Sequence, residues 1–358
     1  MPWIEETKVE QRLKFVTRVR REGISVAKAC REFGISRPTG YKWLNRYDEQ
    51  GLEGLEDRSR APESIPHKTD QKLEEQICAL RQRYPSFGPK KLRAWLRREH
   101  PDADWPAAST IGDILSRNDL IEDTQTTRKT PPRTDPLAEA NAPNRIWSTD
   151  FKGQFELGDG QMCYPLTITD NFSRMILGCY ALPSTKGDPV KECFEKVFAR
   201  WGLPVAIRSD NGAPFASRAP AGLSHLSAWW LSLGIEHERI DPASPEQNGR
   251  HERMHLTLKQ QTARPAESDM AAQQERFDDF VTFFNDLRPH EALGQTAPCE
   301  HHKPATRCYP TDVEPLSYPG CDLERCVQGS GYIRFANNEI YVSQALRGRR
   351  VGLVEVDV

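Results

Sequence analysis

Apolar positions along the first fifty residues recur at helical spacing. In VEQRLKFVTRVRREG, Leu13, Val16 and Val19 fall three apart, and the stripe ends at Gly23. SVAKACREFG predicts a short second helix, with Ser25 as N-cap, Val26, Cys30 and Phe33 as its apolar face and Gly34 as its stop. SRPTGYKWLNRY predicts a third, capped by Ser36, with Pro38 in the first turn and Trp43, Leu44 and Tyr47 turned inward. A Gly-, Pro- and charge-rich connector, GLEGLEDRSRAPES, follows. The helical period then returns in DQKLEEQICALRQRYP, in SFGPKKLRAWLRREHP with Pro89 near a helix start, and in PAASTIGDILSRNDL, where Ile111, Ile114 and Leu115 share a face.

Beyond residue 124 the pattern breaks. TQTTRKTPPRTDPLAEANAPN is polar, Pro-rich and aperiodic, as an extended linker is. NRIWSTDFKGQFEL, MCYPLTITDNFSR and MILGCYALPS then read as strands separated by turn signals. DPVKECFEKVFARWG reads as a helix, PVAIRSDNG as a strand, LSHLSAWWLSLG as a helix, IEHERI as a strand and NGRHERMHLTLKQQ as a helix. A long helix over MAAQQERFDDFVTFFNDLRPHEAL follows. Strands interleaved with helices predict a mixed α/β layer structure. In GYIRFANNEIYVS two alternating runs flank Asn337-Asn338, a hairpin signal, and RRVGLVEVDV is one more alternating run. A barrel needs more strands than these, so the C-terminal β domain reads as one that stops short.

The expected fold class is therefore multidomain α/β. A helix-turn-helix domain occupies 1–60, a second helical, helix-turn-helix-like domain 61–123 and a linker 124–143. A mixed sheet with helices occupies 144–300 and a small β-rich domain 301–358.

Composition narrows the function classes. The 358 residues suffice for two or three domains, and the net charge of −2 does not by itself announce nucleic acid. Its distribution says more: residues 1–60 carry 13 Lys and Arg against 10 Asp and Glu, and the middle of the chain is mildly acidic. No window approaches a membrane span and no signal peptide opens the chain. The nine cysteines are odd in number and scattered, so a cytoplasmic, reduced protein is expected.

Two sets of residues carry chemistry. A short helix, a Gly turn and a helix opening with Ser-Arg make the helix-turn-helix pattern. Arg37, Thr39, Lys42 and Arg46 are then expected to face DNA, against the alternative of a generic three-helix bundle. Two such units in tandem suggest two half-contacts on DNA. In the middle domain Asp150 follows the strand RIWST, Asp210 ends VAIRS, and a glutamate of SPEQNGRHERMH completes a carboxylate set. Oxygen ligands of this kind suit two Mg²⁺ or Mn²⁺ ions and in-line phosphoryl transfer. Cys299, His301, His302, Cys308, Cys321 and Cys326 cluster late, but their spacing fits no structural zinc pattern.

WSTDFKG, LTITDNFSR, IRSDNGAPF and PEQNGRHERMHLTLK, in this order behind a helix-turn-helix head, resemble the integrase-core transposases of bacterial insertion sequences, relatives of retroviral integrases with a ribonuclease-H-like core. The resemblance runs from about residue 8 to about residue 300. It implies DDE chemistry: metal-dependent cleavage at the element's ends, then attack of the freed 3′-hydroxyl on target DNA. It also implies double-stranded DNA as partner and a homo-oligomer bridging two ends. A catalytically silent DNA-binding regulator and a ribonuclease-H-like nuclease are the rival readings.

Counting by the family's interval lands on Glu246, with 35 residues between it and Asp210. Position after the Asn-Gly pair lands on Glu252, with 41 residues between. A lengthened ASRAPAGLSHLS segment accounts for the extra six. The first turn of a helix also favours an anion, so Glu252 is the expected ligand. Asp170 is expected to be a turn cap near the site. Asn248, Arg250, His255 and Lys259 are expected to meet DNA, the last two sharing a helix face with Glu252. If the head holds phosphates through Arg37, Lys42 and Arg46, duplex affinity should fall on the order of tens-fold between about 50 and about 200 mM salt. Fluorescence anisotropy checks this, and a flat salt response counts against it.

Overall fold

The computed structural model describes residues 7–58, 69–121, 139–151, 153–217, 222–240, 249–313, 318–321 and 323–354, without the side chains of 249 and 250. The chain forms two compact units, Met1–Lys68 and Thr69–Val358. The first holds α1 (Lys8–Arg20), α2 (Val26–Glu32) and α3 (Arg37–Gln50). Thr7 and Glu10 close a reciprocal capping box at the start of α1, and Ser36 accepts from the Thr39 amide at the start of α3. Phe15, Val16, Ala29, Cys30, Trp43, Leu44 and Leu55 form its core, with Tyr47 half-buried beside them. Gly40 lets the helices close: a Cβ there would lie 2.5 Å from Cys30 Sγ and 2.9 Å from Phe15 Cζ. The Arg12 guanidinium lies 3.8 Å from the Trp43 ring centroid, held by the Leu55 carbonyl and Asp57.

The second unit opens with α4 (Gln71–Arg83), α5 (Pro89–Glu99) and α6 (Ala108–Arg117). Ile77, Leu80, Phe87, Leu92, Leu96, Trp105, Ile111, Ile114 and Leu115 fill their core. The core elements follow in chain order: β1 (Ile146–Phe151), β2 (Phe155–Glu156), β3 (Met162–Asp170), β4 (Ile176–Leu182), α7 (Gly187–Trp201), β5 (Ala206–Ser209), α8 (His225–Ser232), β6 (Glu236–Arg239), α9 (Gly249–Thr262) and α10 (Met270–Thr282). A π turn, Phe283–Leu287, continues α10. Its Phe283 stacks on Tyr84 and Phe87, so the helical segment is built onto the core.

The sheet is mixed. β3 pairs antiparallel with β4 and with β1, β1 pairs parallel with β5, and β5 pairs parallel with β6. Period-two alternation sorts its two faces. Trp147, Leu166, Ile168 and Ile207 meet Phe194, Phe198 and Trp230 of α7 and α8. Cys163 and Cys179 meet Met254, Leu258, Phe277 and Phe280 of α9 and α10. The result is a ribonuclease-H-like, integrase-type layering of helices about a mixed sheet.

Four short strands close the described chain: β7 (Leu323–Cys326), β8 (Tyr332–Phe335), β9 (Asn338–Tyr341) and β10 (Arg350–Leu353). β8 and β9 form the hairpin expected from the sequence, one residue early: Phe335 pairs with Asn338. Ala336 and Asn337, at φ 48° and 64°, make the turn in place of Asn337-Asn338. β7 pairs with β10, and Arg349 donates to the Ala228 carbonyl at 2.7 Å, tying this region to α8.

Two histidines of the second unit are held neutral. His237 shares a 2.8 Å hydrogen bond with Ser209 Oγ; burial, then Arg239, pushes its pKa down to about 4. Burial, then Lys91, Arg288 and Arg174, pushes His290 down to about 3. The unfolded chain, with histidine pKa values near ~6.5, takes up these protons first. This contribution to stability is therefore complete above about pH 6.5 and is lost as pH falls toward 4. Unfolding free energies from urea melts at about pH 7.5 and about pH 5.5 should differ by roughly 1 kcal/mol per histidine, and His237→Gln should remove its share. Equal free energies contradict this.

Candidate active site and DNA-binding face

The parallel pairing of β1 with β5 sets the geometry. Ile146, Trp147 and Ser148 lie level with Ala206, Ile207 and Arg208. Continued two residues, the same register brings Asp150, in β1, level with Asp210, one residue past the end of β5. Even positions of both strands share one face, so the two carboxylates leave the sheet on the same side. Asp150 is 26% exposed along its side chain. Asp210 opens a turn, its Oδ1 accepting from the Gly212 amide at 3.1 Å.

α9 crosses this face. Met254 and Leu258, one turn apart, are buried against the sheet and α10. Burying such side chains contributes roughly 1.5–3 kcal/mol each, more than the ~1 kcal/mol of a hydrogen bond, so they hold the helix down. Two histidines fix its rotation. His251 Nε2 and His255 Nε2 lie 2.7 and 2.6 Å from Thr167 Oγ1, and His251 Nδ1 lies 2.9 Å from Thr169 Oγ1. Thr167 has one hydroxyl proton. Given to the Asp150 carbonyl at 3.2 Å, it leaves both imidazoles to donate from Nε2, with His251 Nδ1 accepting from Thr169. His255 Nδ1 then stands 3.7 Å from Asp150 Oδ2.

This corrects one expectation. His255 is 1% exposed and packs toward Asp150, so it does not meet DNA phosphates; helical rotation turns it under the helix while Lys259 stays exposed. Glu252 is exposed in the first turn of α9. Among the described residues no three His, Cys, Asp or Glu side chains stand close enough to hold one ion, so Glu252 is not gathered with Asp150 and Asp210 as they stand. Glu246, Asn248 and the side chain of Arg250 lie outside the described residues.

Asp170 is structural. It pairs across from Trp147, so it leaves the sheet on the face opposite Asp150. Its oxygens accept from the Asn144 amide at 2.9 Å and from the Ser173 amide and hydroxyl at 2.8 and 2.6 Å.

In the first unit Arg37 and Lys42 are exposed on α3, while Thr39 and Arg46 are half-buried. Thr39 Oγ1 is tied to Ser36 Oγ at 2.8 Å, and Lys42 and Arg46 lie 4.9 and 5.1 Å from the Trp43 ring centroid. Two further residues complete the outward face: Tyr41, 53% exposed, and Asn45 one turn on. Their spacing of four from Arg37 and from each other was readable in the sequence. The His251/His255 pair was readable in the same way, as was the Thr167/Thr169 alternation opposite it. The late Cys/His group holds only free cysteines.

Residues 140–245 and 233–298 match integrase core domains, residues 11–63 a helix-turn-helix domain and residues 39–115 a homeodomain-like domain. The insertion element IS476 uncharacterized 39.2 kDa protein of Xanthomonas euvesicatoria is 25% identical over 70% of this chain and 70% of its own length. The insertion element IS407 uncharacterized 31.7 kDa protein of Burkholderia multivorans is 25% identical over 77% of this chain and 90% of its own. A solved simian T-cell lymphotropic virus intasome, in complex with PP2A regulatory subunit B56 gamma, overlays 76% of this chain and 86% of its own at 17% identity and a TM-score of 0.40. Among the described residues no helix is long and apolar enough to cross a membrane. The chain thus joins helix-turn-helix domains that bind DNA to an integrase core, a polynucleotidyl transferase with transposase or integrase function.

Proposed function

We propose that this chain is an insertion-sequence transposase that works by DDE chemistry, with Asp150, Asp210 and Glu252 as the carboxylates that hold two divalent cations, Mg²⁺ or Mn²⁺. The observation that carries the reading is the parallel pairing of β1 with β5, whose register, continued two residues, sets Asp150 and Asp210 level on one face, with α9 packed on β1. The donor set fits the cations: all three are hard oxygen ligands, and Asp150 is partly open to solvent. When bound, the ions would lower the barrier to in-line attack at phosphorus and stabilise the leaving oxygen.

The protein's own residues divide the remaining work. Thr167, His251 and His255 position Asp150 and the helix that carries Glu252. Glu252 sits in the first turn, where the helix dipole favours its charge. With ions bound, Glu252 would complete the ligand set with Asp150 and Asp210. A water oxygen attacks the phosphodiester at the element's end and the P–O3′ bond breaks, leaving a 5′-phosphate and a free 3′-hydroxyl; that hydroxyl attacks a target phosphodiester, whose own P–O3′ bond breaks and releases the target's 3′-hydroxyl. Arg37, Thr39, Lys42 and Arg46, with Tyr41 and Asn45, form the DNA-reading face of the head. Lys259, exposed on α9, holds a backbone phosphate beside the site, and Asn248 and Arg250 are assigned the same role. Joining two element ends needs an active site at each, so the working form is a homo-oligomer on DNA.

Asp210→Asn and Glu252→Gln should each lower Mg²⁺-dependent cleavage of labelled terminal-repeat DNA by roughly a hundredfold or more, with gel-shift binding intact. Glu246→Gln should leave cleavage near the wild-type rate. Retained cleavage by Asp210→Asn sinks the assignment, and loss with Glu246→Gln but not Glu252→Gln moves the third ligand.

A further inference from the structure

A second feature lies on α9 away from the aspartates. A cavity of roughly 340 Å³ opens where α5, the β3–β4 turn, α9 and the segment after the π turn converge. Ser86, Lys91, Arg174, Arg253, Arg288 and His290 line it. Four cations thus arrive from four separate elements. Asp170 also lines it, with its oxygens engaged by Asn144 and Ser173, and Glu291 beside it is engaged by Lys90 at 2.6 Å. Among the described residues Lys91, Arg253 and Arg288 have no ion-pair partner. Arg288, only 7% exposed, donates to Ser86 Oγ at 3.0 Å.

The unbalanced charge registers on the groups themselves. Burial, then Arg288 and Arg253, pushes Lys91 down to about 8, against an opposing pull from Glu291. Burial and Arg253 push Arg288 down to about 10. Like charges this crowded favour an anion among them, and their number and spread select its kind. A carboxylate offers two coplanar oxygens and one charge. A phosphoryl group offers tetrahedral oxygens that donors from several directions can reach together, and guanidinium forks match it.

We propose that this cavity is a phosphoryl-anion site. A DNA backbone phosphodiester and free inorganic phosphate present the same chemistry. The DNA source rests on the transposase reading; the anion site does not. Arg253 directly follows Glu252, so a backbone phosphate seated here would fix the strand against the helix that carries the third carboxylate.

The test uses the full chain and two probes. The first is thermal melting with inorganic phosphate against chloride at matched ionic strength. The second is anisotropy of a labelled duplex. Without anion, Lys91→Met should raise the melting temperature, because it removes repulsion. Phosphate should raise the wild-type melting temperature, and the variant should lose most of that gain. On duplex DNA, Lys91→Met and Arg253→Gln should each weaken binding several-fold and reduce the salt slope by about one. Effects in both arms assign a DNA phosphate, and an effect of phosphate alone assigns the free ion. If Lys91→Met destabilises the chain with and without phosphate, or neither probe responds, the site is overturned. The Asp210→Asn cleavage result is independent of these outcomes, so failure of the catalytic reading is distinguishable from failure of this one.

Discussion

The hydrogen bonds from His251 and His255 to Thr167 are the constraint on which the site depends. Two apolar side chains, Met254 and Leu258, hold α9 on the sheet, but apolar contact is non-directional and would tolerate a rolled helix. Two imidazoles sharing one hydroxyl do not. Rolling α9 would leave buried polar atoms without partners, at roughly 1–3 kcal/mol each. The rotation that satisfies them sets Glu252 on the flank of the helix and His255 against Asp150.

The sheet supplies the other half. Because β1 and β5 run parallel and in register, residues at equal distance along them emerge side by side on one face. Asp150 within β1 and Asp210 in the turn that follows β5 can therefore share a face. On the proposed reading, like charges so placed repel in the absence of cations, and that repulsion would become affinity for hard divalent ions. The same electrostatic logic with the opposite sign operates along α9, where Lys91, Arg174, Arg253 and Arg288 surround a cavity and favour an anion. α9 thus carries residues of both the proposed cation site and the proposed anion site.

Much of this was legible in the sequence. Capped helices around Trp43 and Leu44, the strand order up to Asp210, and the α9 core pair Met254 and Leu258 follow from period and capping alone. The β8–β9 hairpin was legible to within one residue: Asn337-Asn338 looks like the turn, yet Ala336 adopts the left-handed conformation that composition would give to Asn338. His255 was misassigned because spacing from Glu252 gives its neighbours on the helix surface but not the helix's rotation on the sheet. That rotation depends on Thr167 and Thr169, more than eighty residues away in sequence. The basic cavity was not legible at all, since its four cations come from four segments that only the tertiary fold brings together.

The most direct test of the central claim localises the cation on the protein itself. Fe²⁺ substituted at the divalent site, with ascorbate and peroxide, cleaves the backbone nearest the bound ion, and mass spectrometry reads the cut positions. The account predicts cuts beside Asp150, Asp210 and Glu252, suppressed by excess Mg²⁺ and lost in Asp210→Asn. Cuts beside Asp170, beside Glu246 without Glu252, or in the Cys299–Cys326 region would contradict it.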